Sequence, residues 1–203
     1  MAGRSRPALA VGAEIDLAVV TDCRQRLRSE GLSFVHVDEL PAPPHGATYD
    51  YVTCMEVLEH VVNPEPLLDK LVSLVTPGGV LVVSVPVETG LPVLVKQVVR
   101  RIAGWRGLGD YAWTSSYSLG ELWAALTAGS RQHFPRRILG LDDGGPGYHD
   151  HKGFNWRVLR ALLARRTRIE RTLASPIAWL PPDFASQAWF VARAPGAGAG
   201  PRR

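Results

Sequence analysis

The stretch YDYVTCMEVLEHVVNPEPLLDKLVSLVTPGGVLVVSVP, residues 49–86, decides the fold. Residues 49–54 read as a strand. Asn63 caps a helix that has Pro64 and Pro66 in its first turn and carries Leu67, Leu68, Leu71, Val72 and Val75. Thr76-Pro77-Gly78-Gly79 makes a turn. The apolar run VLVVSV, residues 80–85, is a strand expected to be covered on both faces. A strand, a helix and a second strand joined by short connections form a parallel α/β unit with a right-handed crossover.

The pattern extends outward on both sides. Residues 8–13, ALAVGA, suit a buried strand, and Asp16 caps a helix over about 17–29. That helix groups Leu17, Val20, Cys23 and Leu27 on one face, and Gly31 ends it. A strand at 32–37 stops at Asp38, before the loop PAPPHG. Beyond residue 86, helices are expected at 91–105, 118–128 and 156–166. RIERTLAS and QAWFVARA read as two late strands. LDDGGPGYHDHKG, with four glycines and a proline, is expected to be loop, and PGAGAGPRR a tail. The expected fold is α/β: a doubly wound, mostly parallel sheet in one domain over 1–194, with a small α-rich cap inserted at about 87–150. Ligands in such sheets bind beyond the carboxyl ends of the strands. The residues there are Glu14, Asp38, Cys54, Met55, Glu56 and Pro86 to Glu88.

Composition bounds the function. The 203 residues are 46% hydrophobic and 21% charged, which fits a globular domain and excludes disorder of the whole chain. No run approaches the roughly 18 apolar residues of a membrane span. Two cysteines, Cys23 and Cys54, make neither a disulfide framework nor a four-ligand zinc site, so a reducing, cytoplasmic setting is the expectation. Residues 1–90 carry 6 Lys+Arg against 12 Asp+Glu, while 91–203 carry 17 against 7. A basic second half attracts phosphate-bearing or membrane-surface partners. The excess of Arg over Lys, 20 to 3, fits a compositional bias equally well.

The 49–86 block resembles the class I S-adenosylmethionine-dependent methyltransferases, of the type 11 and type 23 kind. Those enzymes share the strand running into Glu-Val-Leu-Glu-His, the helix, the Pro-Gly-Gly turn and the apolar fifth strand, in that order. The resemblance extends loosely over 8–194 and implies a Rossmann-like fold whose last strand inserts antiparallel. It implies Glu14 as the acid on the cofactor ribose, with Asp16 as competitor, and Asp38 near the adenine. Cys54, Met55 and Glu56 would line the pocket near the sulfonium. Methyl transfer from a sulfonium needs in-line positioning more than acid–base work, so no catalytic base is assigned. His60, Tyr148, His149 and His151 are expected on the acceptor side. The family's first strand and its Gly-x-Gly-x-Gly loop have no counterpart: only MAGRSRP precedes the ALAVGA strand. The reading therefore expects a missing N-terminal βα unit, through a late start of the frame rather than a degenerate, non-catalytic partner protein.

Glu56, Glu59 and His60 stand at i, i+3 and i+4, and on a helix they would face one side. With His151 they resemble the metal site of small-RNA 2′-O-methyltransferases, although Gly153 is inserted and Asn155 stands where that family has Glu. A hydrogen-bonded, structural His60 is favoured over a divalent metal, and no stable nucleic-acid partner is expected. The helix at 91–105 puts Leu91, Leu94, Val95, Val98, Ile102 and Trp105 on one face and Lys96, Arg100 and Arg101 elsewhere. Packing that apolar face on the domain as a cap is favoured over peripheral contact with a membrane. The expected activity is methyl transfer from S-adenosylmethionine to a small-molecule or lipid-linked acceptor. A plain NAD-binding protein would not explain Glu-Val-Leu-Glu-His followed by Pro-Gly-Gly.

Overall fold

The computed structural model describes residues 9–40, 48–106, 117–140 and 147–196. They fall into two compact units, Met1–Thr48 and Tyr49–Arg203. In the first, β1 (Ala10–Glu14) and β2 (Leu32–His36) pair in parallel, Gly12 opposite Phe34, and α1 (Leu17–Arg26) connects them. A Cβ on Gly12 would lie 2.6 Å from the Phe34 ring, so any larger residue there would have to displace that ring. Asp16 caps α1 by accepting the Ala18 N–H at 2.7 Å. Of the four residues expected on the buried face of α1, only Val20 is buried, and Leu17 and Leu27 are exposed. The helix also stops at Arg26, short of the expected 29.

The second unit holds a four-stranded sheet in the order β3-β4-β8-β7. Its strands are β3 (Tyr49–Met55), β4 (Val75–Pro86), β7 (Arg168–Ser175) and β8 (Gln187–Arg193). β3 and β4 are parallel, and β8 inserts antiparallel between β4 and β7, as the resemblance implied. Two helices flank it: α2 (Pro64–Ser73), capped by Asn63, and α5 (Trp156–Arg166), capped by Asn155. The core lies between them and the sheet, with Leu68, Leu81, Val83, Leu163, Ala188 and Phe190 fully buried. Trp156 stacks on Phe190 with ring centroids 6.2 Å apart.

Val75, expected on the helix, and Thr76–Gly79, expected as a turn, belong instead to β4, which bulges there: Tyr49 pairs with Val75 but Tyr51 with Val80. The Pro-Gly-Gly bulge is held by sterics. Gly78 has a positive φ of 77°, which favours glycine. A Cβ on Gly79 would lie 2.6 Å from Thr76 Oγ1 and 2.9 Å from the Asp50 carbonyl oxygen, and that backbone has nowhere to go. Gly79→Ala is expected to cost about 1–3 kcal/mol by overpacking. A lowered urea midpoint with unchanged slope would show it, and an unchanged midpoint would refute it.

The segment after β4 contains α3 (Leu91–Trp105) and α4 (Leu119–Leu126). The ends of α3 fall where the sequence put them, but its orientation is reversed. Lys96 and Arg100 turn inward, while Leu91, Val95, Val98, Val99, Ile102 and Trp105 face solvent, Val95 at 63% and Trp105 at 84% exposure. The cause is Glu88, which is fully buried at the end of β4. Its Oε1 receives Lys96 Nζ at 2.8 Å and Arg100 Nη2 at 3.4 Å. Lys96 also donates to the Val87 and Ser186 carbonyls. A buried carboxylate needs cations more than the helix needs to hide its valines.

The glycine-rich stretch expected to be loop is partly structured. Tyr148–His149 (β6) pairs antiparallel with Ile138–Leu139 (β5), and Tyr148 also bridges to Val61. Residues 141–146 of that stretch and the tail from 197 lie outside the described residues.

Candidate functional site

The polar residues at the carboxyl end of the second unit's sheet are placed by β3, β4 and the segment 148–155. Cys54, next to last in β3, lies in the core, and burial, reinforced by the charge of Glu59, pushes its thiol up to about 12, so it is neutral and unreactive. Met55 is exposed. Glu56 follows with φ 54°, the only non-glycine at positive φ among the described residues. Its N–H donates to the Ser84 carbonyl and its carboxylate accepts the Ser84 hydroxyl, two bonds that hold the unfavourable backbone in place.

Residues 56–60 form a turn, not the helix assumed for the Glu-x-x-Glu-His spacing. The turn, closed by His60 N–H on the Val57 carbonyl, separates Glu56 from its expected partners. Glu59, His60 and His151 instead converge, with one potential ligand atom from each within 4.8 Å of the others. The His60 and His151 rings lie 4.8 Å apart, and His60 Nε2 is 3.7 Å from Glu59 Oε1. Glu59 is fully buried, and neither of its carboxylate oxygens has a hydrogen-bond partner. Burial, and then the nearby charges of Glu56 and Glu88, raise its pKa to about 7 against the lowering effect of its own backbone N–H and of Arg136. Burial and the neighbouring His60 hold His151 below the ordinary histidine value.

The tautomer of His60 follows from its partner. Nδ1 lies 2.8 Å from the His149 carbonyl, which can only accept, so Nδ1 carries the proton. In the neutral ring, Nε2 then presents a lone pair toward Glu59 and His151. His149 is buried, and its Nδ1 donates to the Arg137 carbonyl at 2.8 Å, so it braces the site rather than facing it. Tyr148 is half exposed beside it.

Sequence reasoning overlooked Arg136. Its guanidinium donates to the Glu59 carbonyl at 2.6 Å, to the Asp150 carbonyl and to the Lys152 carbonyl, and it lies 5.5 Å from the Phe154 ring centroid. It ties the Glu59 turn to the His151 loop, and no local pattern marks it. Asn155 accepts the Arg157 N–H to cap α5 and donates to the Gly129 and Gln132 carbonyls.

The remaining two residues expected at the cofactor stand in the first unit. The Glu14 carboxylate is exposed and accepts the Ile15 N–H at 2.7 Å. Asp38 is exposed, with Oδ2 3.4 Å from His36 Nδ1. An open cleft of about 490 Å³ in this unit, lined by Arg24, Arg28, Glu30 and Phe34 among others, sits by the start of β2, at the end away from Glu14 and Asp38.

The chain resembles known proteins along most of its length. A methyltransferase domain family matches residues 10–128. The ubiquinone biosynthesis O-methyltransferase of Psychrobacter cryohalolentis is 34% identical over 107 residues, which are 50% of this chain and 41% of that protein. Its counterpart from Pectobacterium atrosepticum is 49% identical over 41 residues, 20% of this chain and 17% of the relative. The chain thus matches less than half the length of either. Among solved structures, a S-adenosylmethionine-dependent methyltransferase from Mesorhizobium loti superposes with a TM-score of 0.50 at 13% identity, covering 92% of this chain and 80% of that one. The PH0226 protein of Pyrococcus horikoshii gives 0.53 at 12% identity, covering 92% and 71%. At such identities the superpositions speak for the fold. The match over 10–128 takes in the second strand, the Glu-Val-Leu-Glu-His turn and the Pro-Gly-Gly strand together, and on it the chain belongs to the methyltransferase domain family.

Proposed function

We propose that the protein transfers a methyl group from S-adenosylmethionine to a small-molecule or lipid-linked acceptor. The observation that carries this reading is the family match over residues 10–128, which includes the strand-end acids. Each unit offers its own: Glu14 and Asp38 on the first, Glu56 on the second. A carboxylate at a strand end accepts hydrogen bonds from ribose hydroxyls or the adenine amino group. His60 and His151 would stand on the acceptor side, and the reaction asks them to orient rather than to ionise the acceptor. The test is calorimetric titration of S-adenosylmethionine and S-adenosylhomocysteine into the full chain. Micromolar binding, weakened about tenfold by Glu14→Ala or by Glu56→Ala, supports the reading, about 1.4 kcal/mol being a factor of ten. A folded chain that binds neither compound overturns it.

A second reading, a divalent cation on Glu59, His60 and His151, is favoured by one observation: a buried carboxylate with both oxygens unpartnered beside an imidazole lone pair. One carboxylate and two imidazoles suit a borderline metal. When bound, such an ion would polarise an acceptor oxygen. The residues' own part is to hold it: Arg136 fixes the Glu59 turn, and the His149 carbonyl fixes the His60 tautomer. Zinc or manganese at a hundred times its Kd is expected to add about 2.7 kcal/mol of stability. Glu59→Gln would abolish that gain. A melting temperature that neither metal nor chelator moves refutes this reading.

A further inference from the structure

The reversed setting of α3 leaves a strongly amphipathic helix with its apolar side outward. At 100° per residue, Leu91, Val95, Val98, Val99, Ile102 and Trp105 lie within a stripe roughly 120° wide. All six are exposed. The residues on the opposite side are accounted for: Pro92 and Val93 are buried, and Lys96 and Arg100 are bound to Glu88. The helix cannot roll its valines inward without pulling two cations off a buried carboxylate, so the outward stripe is fixed by the fold.

The surroundings extend the same character. α3 packs on α4, which exposes Leu119 and Trp123. It also packs on the turn Pro182–Phe184, whose Phe184 is exposed, and Trp179 just before that turn is exposed too. Indole rings favour the boundary between hydrocarbon and headgroups. The charge is matched as well. Residues 91–106 contain no Asp or Glu; Arg101 lies beside the stripe and Arg106 caps its C-terminal end, and both are exposed. Fifteen residues are too few to cross a bilayer, and no helix among the described residues is long and apolar enough to do so. A helix of this length with an apolar face and flanking arginines lies in the plane of the interface.

We propose that the outward face of α3 docks on the surface of an anionic lipid bilayer. The valines, Ile102 and Trp105 enter the acyl boundary, and Arg101 and Arg106 meet lipid phosphates. Docking needs neither cofactor nor acceptor, so it stands or falls separately from methyl transfer.

The test is co-sedimentation of the full chain with vesicles of phosphatidylcholine alone, or containing one-third phosphatidylglycerol, with tryptophan emission recorded in parallel. The chain is expected to bind the anionic vesicles with a blue shift of emission and to bind the neutral ones far less. The double variant Val98→Asp/Ile102→Asp, both positions exposed, is expected to lose at least tenfold in binding while its melting temperature holds. Arg101→Gln and Arg106→Gln should each lose roughly fivefold on anionic vesicles, and added salt should mimic them. Equal affinity for both vesicle types, or binding that survives the double aspartate variant, overturns the proposal. So does a chain that ignores vesicles and forms a dimer that the same variant dissociates, because the face would then cover a second copy.

Discussion

Glu88→Ala is expected to cost about 3–5 kcal/mol of folding stability, among the largest losses any single substitution will produce in this chain. The carboxylate is fully buried, and its Oε1 is the anion for both Lys96 and Arg100, with His151 Nδ1 3.9 Å away. Removing it leaves two cations facing a hydrophobic strand end. The backbone carbonyls of Val87 and Ser186 compensate only Lys96. Equilibrium urea unfolding measures the loss. Glu88→Gln, which keeps the volume and removes the charge, should lose nearly as much. The triple variant Glu88→Leu/Lys96→Met/Arg100→Met should recover most of it, since an apolar replacement of a buried ion cluster tends to be neutral or better. If Glu88→Ala costs under about 1 kcal/mol, the ion cluster is not what orients α3.

Glu59→Gln is expected to gain on the wild type as pH rises, by about 3 kcal/mol between pH 4.5 and 7 in the presence of chelator. The sign follows from proton binding. The folded carboxyl keeps its proton up to about pH 7, whereas the unfolded one releases it near 4.5. Between those values the native state binds more protons than the unfolded state, so wild-type stability falls as pH rises, and above 7 the loss is complete. His60, His151, Glu56, Glu88 and Arg136 also face this group, and His151, held below its ordinary value, pushes stability the other way. Subtracting the wild-type profile from that of Glu59→Gln isolates the carboxyl. Parallel profiles would mean that Glu59 ionises normally and is hydrated in solution.

Much of the fold is legible where a local signal sets it. Asn63 caps α2 as its place before a helix-forming run implies, because an Asx side chain there has an N–H to satisfy; Asn155, which the sequence marks only as a departure from a metal-binding pattern, caps α5 in the same way. The bounds of α3, α5 and β7 coincide with the periodic runs in the sequence. The direction in which α3 faces is not local. Periodicity finds the apolar stripe but cannot tell which side docks. Glu88 decides it, and a single acid after an apolar strand looks like any surface residue. The same limit applies at the candidate site. Glu59 and His60 are adjacent in sequence, and only the family resemblance puts His151 beside them; no local pattern shows the turn that sets Glu56 apart or the Arg136 that ties the loops together. The two-residue strands β5 and β6 are too short to show alternation, and the glycines around β6 favour loop.

The place of β8 in the sheet also sets how the second unit can fold. Its residues Ala188, Phe190 and Ala192 are wholly buried, yet they pair with β4 across most of the unit's sequence, Leu81 opposite Ala192. On the ribosome, β3, α2 and β4 can assemble early as a local unit, but β4 keeps a bare edge until the last strand emerges. Closing so long a loop is entropically expensive before any contact repays it. The decisive step in folding this unit therefore waits for β8, in the range of milliseconds to seconds typical of non-local pairing. During that interval the nascent chain exposes a hydrophobic edge that chaperones, or other copies of the chain, can reach.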